Sequence, residues 1–291
     1  MDAAPGRDGP PGVNEFVDAA PPQACTKMDI VFVIDDSGSM AEEQENLATN
    51  FPNFIQVIND FVTTDGAALD YRVAITTTGR DVDYSVVLPG FGALPFSEQG
   101  DDGAFRQSCG MPRRWLERAD GNVAQTFSCA AQVGTSGPSI EMPLYAAELA
   151  LRDRVTDGTN AGFLREDALL ALVFLTDEND CSRTDNGFQL SMSDVCDASQ
   201  PLIPVADSLA FLDGLKMERG RWAAAVIAGP GPGDCTSAFG QAAEATRLLQ
   251  FVGDAGQNAI FSSICDGDLT GALHDALSTF QAACEAFPPI P

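Results

Sequence analysis

The chain has 291 residues, with 16 Lys plus Arg against 42 Asp plus Glu and a formal net charge of −26. Nucleic acid is a poor partner for such a balance, because phosphate binding needs a cationic footprint. Charged residues are only 20% of the chain and hydrophobic residues 45%, which excludes a disordered acidic tail and points to one globular domain with an insertion.

Residues 1–24 are rich in Pro, Gly, Ala and Asp and read as a flexible tether, a lipid, a wall or another domain being the candidate anchors. The domain is expected over 25–287, with a tail over 288–291. No basic and then apolar signal stretch opens the chain, so an exported protein would have its signal removed or omitted. The longest apolar run, Ala168 to Leu175, is far below the roughly 20 residues that span a bilayer.

The run Ile30-Val31-Phe32-Val33-Ile34 lacks alternation and reads as a central parallel strand covered on both faces. After the loop Asp35-Asp36-Ser37-Gly38-Ser39-Met40, the residues Leu47, Phe51, Phe54, Ile55, Ile58 and Val62 recur at helical spacing. Glu42, Glu43 and Glu45 fall in its first turn, where negative charge suits the helix dipole. Pro52 is expected to kink or split this helix.

The alternation then repeats. It predicts strand Tyr71 to Thr77, an antiparallel edge strand Tyr84 to Leu88, and a helix carrying Ile140, Leu144, Ala147 and Leu151. Strand Ala168 to Leu175, helix Val205 to Leu215, strand Trp222 to Ala228, helix Ala242 to Val252 and strand Ala259 to Ile264 follow. A last helix has Leu269, Leu273, Leu277, Phe280 and Cys284 on one face, with Asp268 near its start. Strands separated by helices imply an α/β fold with a doubly wound, mostly parallel Rossmann-like sheet and one antiparallel edge strand. Two stretches interrupt it: an insertion over 89–138, with Trp115 and Phe127 as anchors of a small core, and a long loop over 177–201.

The eight cysteines include no C-x-x-C pair, and the chain has one histidine. That pattern favours four disulfides in an oxidising, extracytoplasmic compartment over metal thiolates. Pairing sequence neighbours and chain ends gives Cys25–Cys284, Cys109–Cys129, Cys181–Cys196 and Cys235–Cys265, which would staple both long loops.

Ligands of an open parallel sheet bind beyond the carboxyl ends of its strands. Asp35-Asp36-Ser37-Gly38-Ser39 falls there, as does Leu175-Thr176-Asp177. The first is D-x-S-x-S, a carboxylate and two hydroxyls presented from one loop, and such hard oxygens suit Mg²⁺, Mn²⁺ or Ca²⁺. A simpler reading of the same loop has Ser37 or Ser39 capping the next helix.

VFVIDDSGSM before an acidic helix, with VFLTDEND after a later apolar strand, closely resembles the von Willebrand factor type A family and its metal-ion-dependent adhesion site (MIDAS). The resemblance covers roughly Cys25 to Phe287. It implies that Ser37 and Ser39 bind a divalent cation directly, that Asp35 and Asp177 hold it mainly through water, and that a threonine from a second loop completes the site. Thr135 in Val133-Gly134-Thr135-Ser136-Gly137-Pro138-Ser139 is the candidate, with Ser136 and Ser139 as substitutes, because the spacing to the following helix is longer than the family's. Glu42 and Glu43 resemble in spacing the acids of a second cation site in integrin β subunits, though a first helical turn also favours acids. Glu178 and Asp180 are candidates for an extra cation or for a solvated rim.

The function implied is a cation-dependent adhesion module, not an enzyme, whose metal ligates an Asp or Glu carboxylate of a protein partner. An alternative is a structural subunit of a surface or periplasmic assembly in which the metal only rigidifies the loops. A serine hydrolase using Ser37 or Ser39 needs a base, and the only histidine, His274, falls in the last helix. Phosphoryl transfer needs cationic groups at the strand ends, where Arg183 is the nearest; the only lysines are Lys27 and Lys216.

Overall fold

The computed structural model describes residues 25–61, 66–191, 196, 200–237, 240–267 and 269–288. The expected tether over 1–24, Val62, Asp268 and the end of the tail lie outside them. In chain order the first elements are β1 (Lys27–Ile34), α1 (Ala41–Asp60), β2 (Asp70–Thr77), β3 (Val82–Leu88), β4 (Gly92–Glu98), β5 (Leu116–Glu117), α2 (Val123–Ala130), α3 (Pro143–Leu151) and α4 (Asp153–Thr156). They continue as β6 (Leu169–Leu175), β7 (Gly187–Ser191), α5 (Val205–Lys216), β8 (Trp222–Ala228), β9 (Cys235–Ser237), β10 (Gly240–Ala242), α6 (Thr246–Ala255), β11 (Ala259–Ser263) and α7 (Leu269–Glu285).

The main sheet runs β5-β2-β1-β6-β8-β11 and is parallel except for β5. Its strand order therefore reverses between β1 and β6, the place where doubly wound sheets open a crevice for a ligand. β1 from Met28 onward, β6 and β8 are buried throughout, as their unbroken apolar runs require. Alternate residues of β1 serve two cores: Ile30, Phe32 and Ile34 pack with α1, α2 and α7, while Val31 and Val33 pack with α3, α5 and α6. Burying each such side chain contributes about 1.5–3 kcal/mol. Phe32 is the hub of the first core, with the rings of Phe51, Phe54 and Phe127 at 5.5, 5.1 and 4.9 Å.

The antiparallel edge strand is Leu116–Glu117, not the segment Tyr84 to Leu88. That segment lies in β3, which leaves the main sheet and forms a second one, β4-β3-β7, antiparallel to β4 and parallel to β7. Alternation in β3 announces a strand with one packed face, here against Ile140, Met142, Tyr145 and Leu149, but it carries no information about the pairing partner. Both long loops thus donate a strand to a shared small sheet. The insertion has no core of its own: Phe127 joins the main core, and Trp115 packs on Phe163 at 5.9 Å.

Helix α1 is continuous across Pro52. The helix expected from Ala242 starts at Thr246, because residues 240–242 pair with 235–237 as a hairpin. The helix expected around Ile140 starts at Pro143, whose fixed φ and missing N–H suit a first turn. All four disulfides pair as expected. Among the described residues no helix is long and apolar enough to cross a membrane.

Candidate metal centre

Asp35 follows β1 and Asp177 follows β6, so the two face each other across the point where the strand order reverses. Asp35 is fully buried and immobilised: its N–H donates to the Leu175 carbonyl at 2.9 Å, its Oδ1 accepts from the Ser37 N–H at 2.8 Å and its Oδ2 from the Thr176 hydroxyl at 2.6 Å. The hydroxyls of Ser37 and Ser39 lie 2.9 Å apart and bond to each other. Ser37 precedes a short turn of 3-10 helix, yet its side chain caps no backbone N–H. The capping role is therefore unfilled, and both hydroxyl oxygens keep lone pairs for another partner.

The buried side-chain oxygens without a hydrogen-bond partner, among the described residues, are Asp36 Oδ1, Glu43 Oε2, Gln44 Oε1, Glu141 Oε1 and Asp177 Oδ1. All five sit in or beside this crevice; the remaining unpartnered atoms are guanidinium nitrogens. Buried acceptors normally find donors, since each orphan costs about 1–3 kcal/mol, more when charged. Their grouping along one crevice fits a divalent cation held partly through water. No three Asp, Glu, His or Cys side chains among the described residues close into a cage on their own, so a cation here would need the serine hydroxyls and bridging waters as well.

Electrostatics agree with the geometry. Burial, then the charge of Asp35, pushes the Asp177 carboxyl upward, with the Ser39 hydroxyl opposing. Burial likewise raises Asp35. Asp36 is pushed up to about 7 by burial and then by Asp101, and Glu178 to about 7 by burial and then by Asp35. The ordinary values are 3.8 and 4.5, so across this window the folded protein holds protons that the unfolded chain has released. Stability then falls as pH rises from about 4 through about 7. The cation-free protein should lose about 5 °C or more in Tm between pH 5 and pH 8, and saturating Mn²⁺ should remove the loss; a flat Tm profile in EDTA would contradict this.

Residues 133–139 reach the site through backbone rather than hydroxyl groups. The Gln44 amide donates to both the Asp35 and Gly134 carbonyls at 3.0 Å, and the Gly137 N–H donates to the Asp36 carbonyl at 2.7 Å. A Cβ on Gly137 would lie 2.1 Å from Asp36 Oδ1, so a larger residue here would push the Asp36 carboxylate aside. Thr135 and Ser136 are exposed. Ser139 is exposed too and is engaged by Glu98, at 2.8 Å to the hydroxyl and 2.9 Å to the N–H.

Glu42 and Glu43 diverge: Glu42 is exposed, whereas Glu43 is buried beneath Gly240 of β10 and repelled by Asp35. Glu178 belongs to the crevice, but Asp180 is committed elsewhere, to the Leu144 N–H at 3.1 Å, the Ser182 hydroxyl at 2.6 Å and Arg247 at 3.0 Å. The hairpin over the crevice depends on Gly229, where a Cβ would meet the Ala243 carbonyl oxygen at 1.9 Å, while the Ala243 N–H donates to the Asp177 carbonyl at 2.8 Å. Gly229→Ala should destabilise the fold by about 1–3 kcal/mol, as read by urea denaturation.

The groups that enzymatic readings need lie elsewhere. His274 is exposed in a groove with Met28 and Leu69, at the amino ends of β1 and β2, the opposite end of the sheet from Ser37. Arg183 is paired with Asp185 at 2.7 Å and covers the Phe188 ring; Lys27 pairs with Asp167, and Lys216 donates to the Arg165 carbonyl at 2.8 Å. Arg106 comes within 3.9 Å of Asp36 but also serves Asp101 and the Val133 carbonyl.

The motif reading missed Glu141, Gln44, Thr78 and Thr176. Glu141 offered one signal, an acid between Ile140 and Met142 in an otherwise apolar approach to a helix. The other three are neutral residues whose role is visible only once their loops meet.

The strand order, with D-x-S-x-S after β1 and an aspartate after β6, agrees with the doubly wound α/β fold that the resemblance to the von Willebrand factor type A family implied. No protein-family model and no curated protein matches the chain. Similar solved structures include the pilus adhesin SpaC from Lactobacillus rhamnosus GG in its open conformation (12% identity, TM-score 0.46, covering 89% of this chain and 31% of that one). Proximal thread matrix protein 1 from the mussel byssus, with a zinc-occupied MIDAS motif, is 10% identical with a TM-score of 0.41, over 88% of this chain and 49% of that one. Manganese-loaded TRAP protein from Plasmodium vivax is 12% identical with a TM-score of 0.37, over 86% and 75%. The chain thus spans about half the length of the mussel protein and about a third of the adhesin. At such distances no function passes from them to this chain.

Proposed function

We propose that this chain is an extracytoplasmic protein-binding module whose divalent cation, Mg²⁺, Mn²⁺ or Ca²⁺, is held at the strand-order reversal and ligates a carboxylate of a partner protein. The observation that carries the reading is five unpartnered buried oxygens lying in or beside the crevice that also holds a pair of serine hydroxyls which cap nothing. Ser37 and Ser39 would touch the cation, and Asp35 and Asp177 would hold it mainly through water; Thr135 is the second-loop candidate named by the sequence. When bound, the cation supplies a Lewis-acidic position that an external carboxylate oxygen can fill. The chain's own part is to fix the donors, and Asp35 is fixed by three hydrogen bonds. Four disulfides favour an oxidising compartment. The domain is read as 25–287, tethered through 1–24.

Calorimetric titration of Mg²⁺, Mn²⁺ and Ca²⁺ into EDTA-stripped protein tests the reading, and absence of saturable uptake of all three would end it. A purely structural metal, one that rigidifies the loops of an assembly subunit, is favoured by one observation: the crevice holds more acid than a single dication neutralises. It predicts that metal raises Tm and leaves partner capture unchanged.

A further inference from the structure

Glu141 stands two residues before α3 and is fully buried, and no Lys or Arg among the described residues forms an ion pair with its carboxylate. Its backbone is clamped, the carbonyl accepting from the Cys181 N–H at 2.7 Å and the next residue's N–H donating to the Thr78 carbonyl at 3.2 Å. The Thr78 hydroxyl binds Oε2, which fixes the carboxylate and leaves Oε1 without a partner. The charged groups that act on it are Asp35, Glu178 and Asp36, all acids of the crevice. A rigid, buried and repelled carboxylate with one free oxygen is costly unless something positive faces it.

We propose that Glu141 is the second loop's donor to the cation, occupying the role that the family resemblance gives to a threonine. The inference rests on the cation reading above. Because no three acids converge directly, Glu141 acts as Asp35 and Asp177 do, through metal-bound water, and is a positioning residue while Ser37 and Ser39 touch the metal. Thr135, exposed on the loop rim, is left without a metal role. A third carboxylate strengthens the hold on a dication and weakens its pull on an external anion, so partner affinity is gained at the expense of cation affinity when this charge is removed.

The test is calorimetric titration of Mn²⁺ into the EDTA-stripped full chain for wild type, Glu141→Gln, Glu141→Asp and Thr135→Ala, with melts in EDTA and in Mn²⁺. Glu141→Gln should weaken Mn²⁺ about ten- to a hundredfold, and Thr135→Ala by less than twofold. In EDTA Glu141→Gln should melt higher than wild type, because burial and then Asp35 make this carboxyl costly to ionise in the fold; in Mn²⁺ the order should invert. A residue serving only its bond to Thr78 would give no such inversion. If Glu141→Gln does not fold, Glu141→Asp, which keeps the charge and withdraws it by one methylene, should still weaken Mn²⁺ severalfold. Glu141→Gln or Glu141→Asp titrating like wild type while Ser37→Ala loses the metal overturns the assignment and leaves the cation reading standing. A tenfold loss in Thr135→Ala alone does the same. A wild type that takes up no Mn²⁺ overturns both.

Discussion

Ser37→Ala should lower divalent-cation affinity at least about 100-fold, which corresponds to about 2.7 kcal/mol, and should abolish cation-dependent capture of a carboxylate-bearing partner. The expectation follows from what the hydroxyl does and does not do. It contacts Ser39 at 2.9 Å and caps no backbone N–H, so its loss would remove the proposed direct metal donor without loosening the start of α1. Around it, burial raises the carboxyls of Asp35 and Asp177, which a bound cation would relieve. Circular dichroism should be unchanged, and Tm in EDTA should lie within about 1–2 °C of wild type, as expected of a substitution that leaves packing alone. Equal Mn²⁺ heats in wild type and variant would remove the motif from the mechanism, and partner capture that persists in EDTA would leave the metal a structural role only.

Cys25–Cys284 carries the second large effect. It joins residues 259 apart with Cα atoms at 4.8 Å, and the Cys25 N–H also donates to the Cys284 carbonyl at 2.8 Å. Closing so long a loop limits the unfolded chain, and the chain-entropy model gives about 5–6 kcal/mol for it. Replacing both cysteines by serine should therefore cost several kcal/mol in urea denaturation. Since Cys25, Cys284 and Phe287 all contribute to the core around α1 and α7, the loss should include some packing. The bridge also pins α7 to the start of β1 and so restrains that helix from sliding along the sheet. Partner affinity should then change when the bridge is removed; a double-serine variant with wild-type stability and affinity would show that the bridge is idle.

The sequence is most legible where one physical cause acts. Short runs without alternation, such as the mostly β-branched Ile30–Ile34 and the seven residues Leu169–Leu175, read as strands covered on both faces, and the order of strands and helices then leaves few topologies. The cysteines pair as neighbours and ends suggest because each bridge staples a local loop or the chain ends. The sequence is least legible where two remote segments decide the outcome together. β3 alternates like any half-buried strand, and only the presence of β4 and β7, one from each long loop, draws it out of the main sheet. The same holds at the crevice. Asp35, Ser37, Ser39 and Asp177 are visible in two short motifs, whereas Glu141 gains its significance from Thr78, 63 residues away, and from the acids across the crevice.

The bridged ends also determine how the domain meets mechanical load. Tension that enters the chain at Cys25 and leaves at Cys284 passes through a single sulfur–sulfur bond between Cα atoms 4.8 Å apart, and the residues between the two cysteines bear none of it. Such a domain cannot be unravelled by pulling on the chain to either side of it. Under stretch it would transmit force as a short inextensible link, with the crevice between β1 and β6 kept in the unloaded geometry, until that one bond is reduced.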